Sequence, residues 1–173
     1  MTNKDYFAII KKGGVMSKKD DKTNVMRVLE QKKINYICHN YLDTGAVSGI
    51  EVANALGEDE NTVFKTLVTV GKSKKHYVFV VPVNKELNLK KAAKAVGEKN
   101  IEMIKAKELL PLTGYIHGGC SPIGMKKQLF TTVDISAENC KTICISGGKV
   151  GFQVELKLSD LNKVVNFKTA DLT

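Results

Sequence analysis

Short hydrophobic runs along this chain alternate with polar or glycine-containing turns, which is the pattern of a protein with many β-strands. The two clearest runs cover residues 63–70 and 76–83, and a polar turn at 71–75 separates them. Because the second run is nearly all apolar, we predict that the pair forms a central β-hairpin. Further strands are predicted over residues 34–40, 101–104, 129–135, 142–146 and 152–157.

Helices are predicted where a capping residue precedes hydrophobic residues at helical spacing. The predicted helices cover residues 24–33, 49–56, 89–96, 107–110 and 159–166. Thr23, Asn88 and Ser159 are the expected N-caps, and Gly57 ends the second helix. Pro111 is expected to limit the fourth helix, because proline clashes with the preceding turn. Since helices are scattered among strands without an internal repeat or linker, we predict one mixed α/β (α+β) domain over residues 22–173.

The segment before residue 22 is expected to be a poorly ordered N-terminal appendage, because residues 17–22 are almost all charged. Its one apolar group, residues 6–10, is too short for the core of a signal peptide. No run in the sequence approaches the roughly 18 apolar residues that a membrane span needs. We therefore expect a cytoplasmic protein with no membrane partner.

The net charge of the chain indicates which kinds of molecule it could bind. The 173 residues include 27 Lys and Arg against 18 Asp and Glu, which gives a formal net charge of +9. Arg27 is the only arginine. Lysines suit phosphate backbones, whereas base reading in DNA relies on arginine forks, so a sequence-specific DNA-binding protein is disfavoured. From charge alone, a polyanionic partner and a merely solubilising lysine surface remain equal alternatives.

Three glycine motifs resemble known catalytic loops but lack their context. Residues 71–73 lack the earlier glycine of a phosphate loop, and a strand rather than a helix follows them. Residues 146–151 stand between two predicted strands, so they cannot present a helix N-terminus to a pyrophosphate. The loop around Ser121 is one residue too long for a nucleophile elbow. Each motif is better interpreted as a turn.

Cysteine and histidine spacings predict neither a metal site nor a cofactor. The four cysteines contain no CxxC motif, and Cys140 and Cys144 are too far apart along a strand to share one zinc ion. His39, His76 and His117 share no ligand spacing. His117 adjoins a glycine loop where a general base could act, although an ordinary loop position is the favoured interpretation.

Lys65 and a glycine loop are the two features with unexplained chemistry. Lys65 alternates onto a strand face between Val63 and Leu67, so its ammonium either reaches solvent from an edge strand or binds a phosphate or carbonyl group. Gly118 and Gly119 would let backbone N–H groups approach a ligand closely, although a tight turn needs glycine equally.

Six ordered sequence blocks carry a family resemblance. They are KTNVMR at 22–27, FKTLV at 64–68, LNLKKAAK at 87–94, TGY at 113–115, GGCSPIGMKK at 118–127 and SGGK at 146–149. Together they resemble the YbaK/EbsC family of free-standing Cys-tRNA(Pro) deacylases, which is related to the editing domain inserted in bacterial prolyl-tRNA synthetases. The resemblance covers residue 22 to the C-terminus. It implies a compact domain with a mixed, partly barrel-like β-sheet flanked by short helices.

The resemblance also implies roles for particular residues. Lys65 matches the family's essential lysine, which binds near the terminal adenosine of tRNA. The remaining matches, which we expect to bind substrate, are Tyr41, Thr66, Gly118, Gly119, Ser121 and Ser146. Val150 and Gln153 depart from the family pattern, in which arginine is common at the first position and aspartate at the second. The sequence therefore defines the class of enzyme better than it defines which amino acid the enzyme removes.

The implied reaction is the release of cysteine from mischarged tRNA(Pro), with the substrate thiol attacking its own ester. The implied partners are the tRNA acceptor end and a prolyl-tRNA synthetase, and the sequence leaves open whether that synthetase is required. Three alternatives stay open: a deacylase for another small amino acid such as alanine that uses water, a non-catalytic tRNA- or synthetase-binding module, and a regulatory protein without tRNA affinity.

Overall fold

The computed structural model describes residues 11–12 and 22–173, which contain five α-helices, three short 3₁₀ helices and nine strands. The helices are α1 (Asn24–Gln31), α2 (Gly49–Leu56), α3 (Leu89–Val96), α4 (Ala106–Thr113) and α5 (Leu158–Leu161). The strands are β1 (Lys11–Lys12), β2 (Ile37–Asn40), β3 (Phe64–Gly71), β4 (His76–Pro82), β5 (Ile101–Met103), β6 (Phe130–Asp134), β7 (Ile143–Ser146), β8 (Phe152–Leu156) and β9 (Phe167–Ala170).

The strands belong to two sheets. The larger sheet has the order β5-β3-β4-β6-β9. Strand β3 is antiparallel to its neighbours β5 and β4, and strand β6 is parallel to its neighbours β4 and β9. The smaller sheet has the order β1-β2-β8-β7. An isolated bridge between Val63 and Cys144 connects the two sheets. The mixed α/β class and single domain are confirmed, and over the described residues the sheets meet at one seam without closing into a barrel.

The predicted hairpin is formed by β3 and β4, and it lies at the centre of the core. Val78, Phe79, Val80 and Val81 of β4 are fully buried. Val78 and Val80 belong to the main core cluster with α1, while Phe79 and Val81 pack with α3 on the opposite face. A strand that is covered on both faces needs apolar side chains on both, so its sequence is continuously hydrophobic. This is why polar and apolar residues do not alternate along β4.

Local capping interactions fix the predicted helix starts. The Thr23 hydroxyl accepts from the backbone N–H of Met26 at 3.2 Å, and the Asn88 side chain accepts from the N–H groups of Lys90 and Lys91. Gly57 ends α2 in the left-handed conformation that lacks a Cβ penalty. These side chains satisfy backbone groups that a helix end leaves free, so the caps are confirmed.

Two helix predictions are wrong. Pro111 lies inside α4 instead of ending it, because the proline removes only its own N–H donor, while the Gly114 N–H still donates to the Leu110 carbonyl at 2.9 Å and closes the last turn. Ser159 lies within α5, whose N-cap is Lys157 and whose last residue is Leu161. Residues 162–166, the rest of the predicted last helix, are turns and irregular chain, and strand β9 begins only at Phe167, where it pairs in parallel with β6.

Little of the N-terminal appendage falls within the described residues. β1 pairs in parallel with β2, with Lys11 opposite Cys38 and Lys12 opposite His39. The other residues of the 1–21 segment lie outside the described part of the chain, so their predicted poor order remains a prediction. Within the described residues, no helix is long and apolar enough to cross a membrane.

Candidate active site

A cavity of about 490 Å³ lies at the seam of the two sheets. β3 contributes Lys65 and Thr66 to its wall, and the smaller sheet contributes Ser146 from β7 and Gln153 from β8. Most of the remaining wall comes from α2 and its preceding loop, from the β5–α4 segment and from the loop at 117–120. The cavity therefore collects side chains from distant parts of the sequence around a strand held rigidly in the core.

Lys65 supplies the only permanent charge among the described residues that line this cavity. It pairs across the hairpin with Val81, and β5 covers β3 only at residues 69–71, beyond the lysine. The lysine side chain is 27% exposed, and its Nζ donates to Glu86 Oε1 at 3.1 Å. Glu86 is almost fully exposed, so solvent screens this ion pair and an anionic ligand can replace the carboxylate.

Two buried oxygen atoms in the cavity wall lack a hydrogen-bond partner among the described residues. They are Thr66 Oγ1, which is next to Lys65 on β3, and Gln153 Oε1 on β8. A buried polar group without a partner costs about 1–3 kcal/mol. Both residues line the cavity, so a rotation of either side chain would bring its oxygen atom to a bound ligand. Sequence reasoning treated Gln153 only as a departure from a family pattern and missed this feature.

The structure also brings Tyr41, Ser146 and Gly118 to the cavity wall. Tyr41 follows β2, and its backbone N–H donates to the Gly151 carbonyl at 2.9 Å. The Ser146 hydroxyl accepts from the backbone N–H of Gly148 at 3.2 Å and so shapes the β7–β8 turn. Gly118 has a φ of +82°, a conformation that side-chain-bearing residues rarely adopt.

Gly119 and Ser121 lie beside the cavity rather than in its wall. A Cβ on Gly119 would lie 3.2 Å from the Val150 nitrogen, so this glycine allows two loops to pack closely. Its N–H donates to the Ile116 carbonyl at 3.0 Å and is already engaged. Ser121 is fully buried, and its hydroxyl accepts from the backbone N–H of Ile123 at 3.3 Å. Both residues shape the loop that carries Gly118.

The wall includes no activated nucleophile among its described residues. Cys120 is buried in the wall, and burial raises the pKa of its thiol to about 12. A thiol with this pKa stays protonated near neutral pH and is a poor nucleophile. His117 is exposed and lines the cavity, but no carboxylate lies in the described wall to orient it. The arrangement therefore suits binding and charge stabilisation of a substrate that reacts without a protein nucleophile.

Comparison with known proteins agrees with this geometry. The model of the aminoacyl-tRNA editing domain matches residues 45–164. EbsC of Enterococcus faecalis, named as a Cys-tRNA(Pro)/Cys-tRNA(Cys) deacylase, is 44% identical over 157 residues, which are 90% of this chain and 96% of that protein. A proline–tRNA ligase of Shouchella clausii is 36% identical over 76 residues, or 44% of this chain and 13% of the ligase.

Solved structures show the same fold. A protein described as a trans-editing enzyme for prolyl-tRNA synthetase superposes with a TM-score of 0.78 at 25% identity. The match covers 87% of this chain and 94% of that protein. The correspondence therefore extends over nearly all of both chains.

Proposed function

This chain belongs to the aminoacyl-tRNA editing domain family, and we propose that it is a deacylase that removes cysteine mischarged on tRNA(Pro). One observation carries the proposal: the described cavity wall offers a single cation and unpartnered acceptors, but neither a carboxylate pair nor an activated nucleophile. The ester between an amino acid and a tRNA 3′ end is already activated, so positioning and charge stabilisation suffice to cleave it.

Lys65 binds the tRNA 3′ end in this proposal. Its Nζ exchanges the Glu86 carboxylate for a phosphate oxygen next to the terminal adenosine. Glu86 is exposed, so breaking its ion pair with Lys65 costs little free energy. A phosphate in the partly enclosed cavity is screened less by water and therefore interacts more strongly with the lysine. The lysine thus fixes the position of the ester relative to the cavity wall.

The aminoacyl group occupies the cavity beyond Lys65. Thr66 Oγ1 and Gln153 Oε1 accept hydrogen bonds from the α-ammonium group, which resolves their missing partners. The Gly118 N–H is the candidate donor to the ester carbonyl, because the Gly119 N–H already donates to Ile116. A small side chain such as that of cysteine then faces the apolar part of the wall.

The substrate supplies its own nucleophile. The cysteine thiol loses its proton, and its sulfur attacks the ester carbonyl carbon to form a new C–S bond. The C–O bond to the ribose then breaks, the ribose oxygen takes up a proton, and a cyclic thiolactone leaves. This route requires no thiolate from the protein, in agreement with the protonated state of Cys120.

Surface lysines support binding of the tRNA acceptor end. Lys90 and Lys94 on α3 are exposed, as are Lys126 and Lys127 after the glycine loop. Lys91 is less available to a phosphate, because its Nζ already donates to Asp171 at 2.8 Å. These lysines bind phosphates without contacting base edges, so they do not distinguish tRNA(Pro) from other tRNAs, and another molecule has to select the tRNA. We propose that a prolyl-tRNA synthetase supplies it by presenting the tRNA.

The test measures release of cysteine from Cys-tRNA(Pro) by purified protein, with and without prolyl-tRNA synthetase. Lys65→Ala is expected to lower the rate by at least about 100-fold, the usual effect of removing a group that stabilises charge in the transition state. Lys163→Ala is the matched control, because Lys163 pairs with Asp160 away from the cavity wall. A Lys65→Ala enzyme as fast as the wild type would contradict the proposal.

Other charged tRNAs separate the alternatives. Ser-tRNA(Pro) lacks the thiol, so thiol cyclisation predicts no turnover of it, and rapid turnover would instead indicate attack by water. Ala-tRNA(Pro) tests the deacylase of another small amino acid in the same way. Binding with a steep salt dependence but no cleavage at any enzyme concentration would indicate a non-catalytic tRNA-binding module.

A further inference from the structure

A second group of reactive side chains lies outside the cavity wall. It consists of His39 on β2, Glu58 immediately after the α2 cap, and Cys144 on β7. One ligand atom from each residue lies within 4.8 Å of the other two. His39 and Cys144 are each 4% exposed, and the Glu58 side chain is 11% exposed. Three elements that are distant in sequence thus direct an imidazole, a carboxylate and a thiol to one buried point.

The two ring nitrogens of His39 have different environments. Nε2 lies 2.8 Å from Glu155 Oε2, and the other oxygen of Glu155 accepts from the Thr142 hydroxyl at 2.6 Å. Nδ1 lies 3.6 Å from Glu58 Oε1, which is too long for a hydrogen bond. A carboxylate at Nε2 places the ring proton there and leaves the Nδ1 lone pair directed at Glu58 and Cys144. Metal-binding histidines in proteins are oriented in this way.

The backbone holds these side chains in place. Cys144 and Glu155 are direct partners in the β7–β8 ladder, and β8 also pairs with β2. Glu58 follows the left-handed Gly57, and its N–H donates to the Ala53 carbonyl at 2.8 Å. The positions are therefore set by sheet register and by a helix cap, which makes the cluster a preformed arrangement.

We propose that His39 Nδ1, a Glu58 carboxylate oxygen and Cys144 Sγ bind a zinc-class divalent transition-metal ion, with water as the fourth ligand. Bond lengths of about 2.0–2.3 Å place neighbouring ligand atoms of a tetrahedral site roughly 3.3–3.8 Å apart. The 3.6 Å between His39 and Glu58 fits this spacing. A thiol and an imidazole disfavour Mg²⁺ and Ca²⁺, which prefer oxygen ligands.

Charge also balances at this site. Binding releases the thiol proton to solvent, so a thiolate and a carboxylate together neutralise the 2+ ion while the imidazole stays neutral. Glu155 remains hydrogen-bonded to the ring and acts as a positioning residue. Cys144 packs with Val63 and Val83, which line the cavity, whereas none of the three ligands belongs to the described wall. The ion therefore supports the wall without contacting the substrate.

The experiment titrates the chelator-treated full-length protein with Co²⁺, which reports its ligands by absorption. The expected result is one equivalent bound, a thiolate-to-cobalt charge-transfer band, the visible bands of four-coordinate Co²⁺, and displacement by Zn²⁺. Cys144→Ser is expected to lose the charge-transfer band. Cys140→Ser, the matched control, keeps it, because Cys140 lies outside the cluster. Glu155→Gln is expected to weaken binding by about 10- to 100-fold.

The wild-type titration is decisive even if a variant fails to fold. Absence of a thiolate band at one equivalent, or an unchanged band in a folded Cys144→Ser protein, overturns the site. Circular dichroism of each variant establishes that it is folded. Because this measurement involves no tRNA, its failure leaves the deacylase proposal intact, and loss of deacylation in a Lys65 variant leaves the metal site intact.

Discussion

Replacing Thr66 with valine is expected to stabilise the protein and to weaken its enzymatic activity. Thr66 lies on the central hairpin strand β3, and its hydroxyl oxygen is buried without a hydrogen-bond partner among the described residues. Valine has nearly the same shape, keeps the β-branched side chain that strands favour, and removes the unsatisfied group. The substitution therefore separates the stability of the free protein from its function.

The size of the stability change follows from the desolvation cost of the hydroxyl. An unsatisfied buried polar group costs about 1–3 kcal/mol, and we work with the low end of this range for the Thr66 hydroxyl. A gain of about 1 kcal/mol raises the Tm of a domain of this size by roughly 2–4 °C. Differential scanning calorimetry and urea unfolding measure this change, and the m value is expected to stay constant.

The expected change in activity has the opposite sign. If Thr66 accepts from the α-ammonium of the substrate, Thr66→Val loses a hydrogen bond to a charged group, which contributes about 1.5–3 kcal/mol. That loss lowers kcat/KM for Cys-tRNA(Pro) by roughly 10- to 150-fold, since each 1.4 kcal/mol is tenfold. Single-turnover deacylation measures it directly.

Two other threonines provide matched controls. The Thr132 hydroxyl is also buried without a partner among the described residues but lies outside the cavity wall, so Thr132→Val should raise the Tm without changing activity. The buried Thr69 hydroxyl donates to the Tyr77 carbonyl at 3.4 Å, so Thr69→Val should not stabilise the protein. A folded Thr66→Val protein with a lowered Tm or with full activity would refute the reasoning.

Three further predictions concern residues around the cavity. Glu86→Gln removes the carboxylate that competes with tRNA phosphate for Lys65, so the KM for charged tRNA should fall, by less than about fivefold, and the Tm should not change. A tenfold loss of kcat/KM in this variant would contradict the prediction. Cys120→Ala should keep deacylase activity, and Cys120 should resist alkylation at pH 8, because the pKa of its thiol is about 12 and the protonated form dominates below it. Gly119→Ala should lower the stability by about 1–3 kcal/mol in urea unfolding, because its Cβ would crowd the Val150 backbone; an unchanged midpoint would count against this packing.

The sequence predicts those elements of the fold that local chemistry determines. The caps at Thr23 and Asn88 and the turn at Gly57 act within a few residues, so their helices are found at the expected places. Strand β9 is missed because its stability comes from parallel pairing with β6, a contact that no local pattern records. α4 continues past Pro111 because the proline removes a single N–H donor and the Gly114 N–H still closes the last turn on the Leu110 carbonyl.

The site shows the same division between local and distant contacts. Lys65 stands out in the sequence, since a lysine within an apolar strand is unusual, whereas Thr66 is named only through the family resemblance. The importance of Gln153 depends on burial without a partner, which only the folded chain shows. His39 and Cys144 come together through sheet register, so a search for short-range ligand motifs rejects a metal site that the tertiary structure makes geometrically feasible.

The backbone bridge that links the two sheets at Val63 and Cys144 also has a mechanical consequence. Lys65 and Thr66 stand on one side of this seam and Gln153 on the other, so a molecule in the cavity contacts both sheets and adds to the Val63–Cys144 bridge and the shared hydrophobic core that hold them together. Its binding energy adds to the resistance against separation of the sheets. Amide hydrogen exchange at the strands flanking the seam is therefore expected to slow when an aminoacyl-adenosine analogue binds, because opening the seam then also requires release of the ligand.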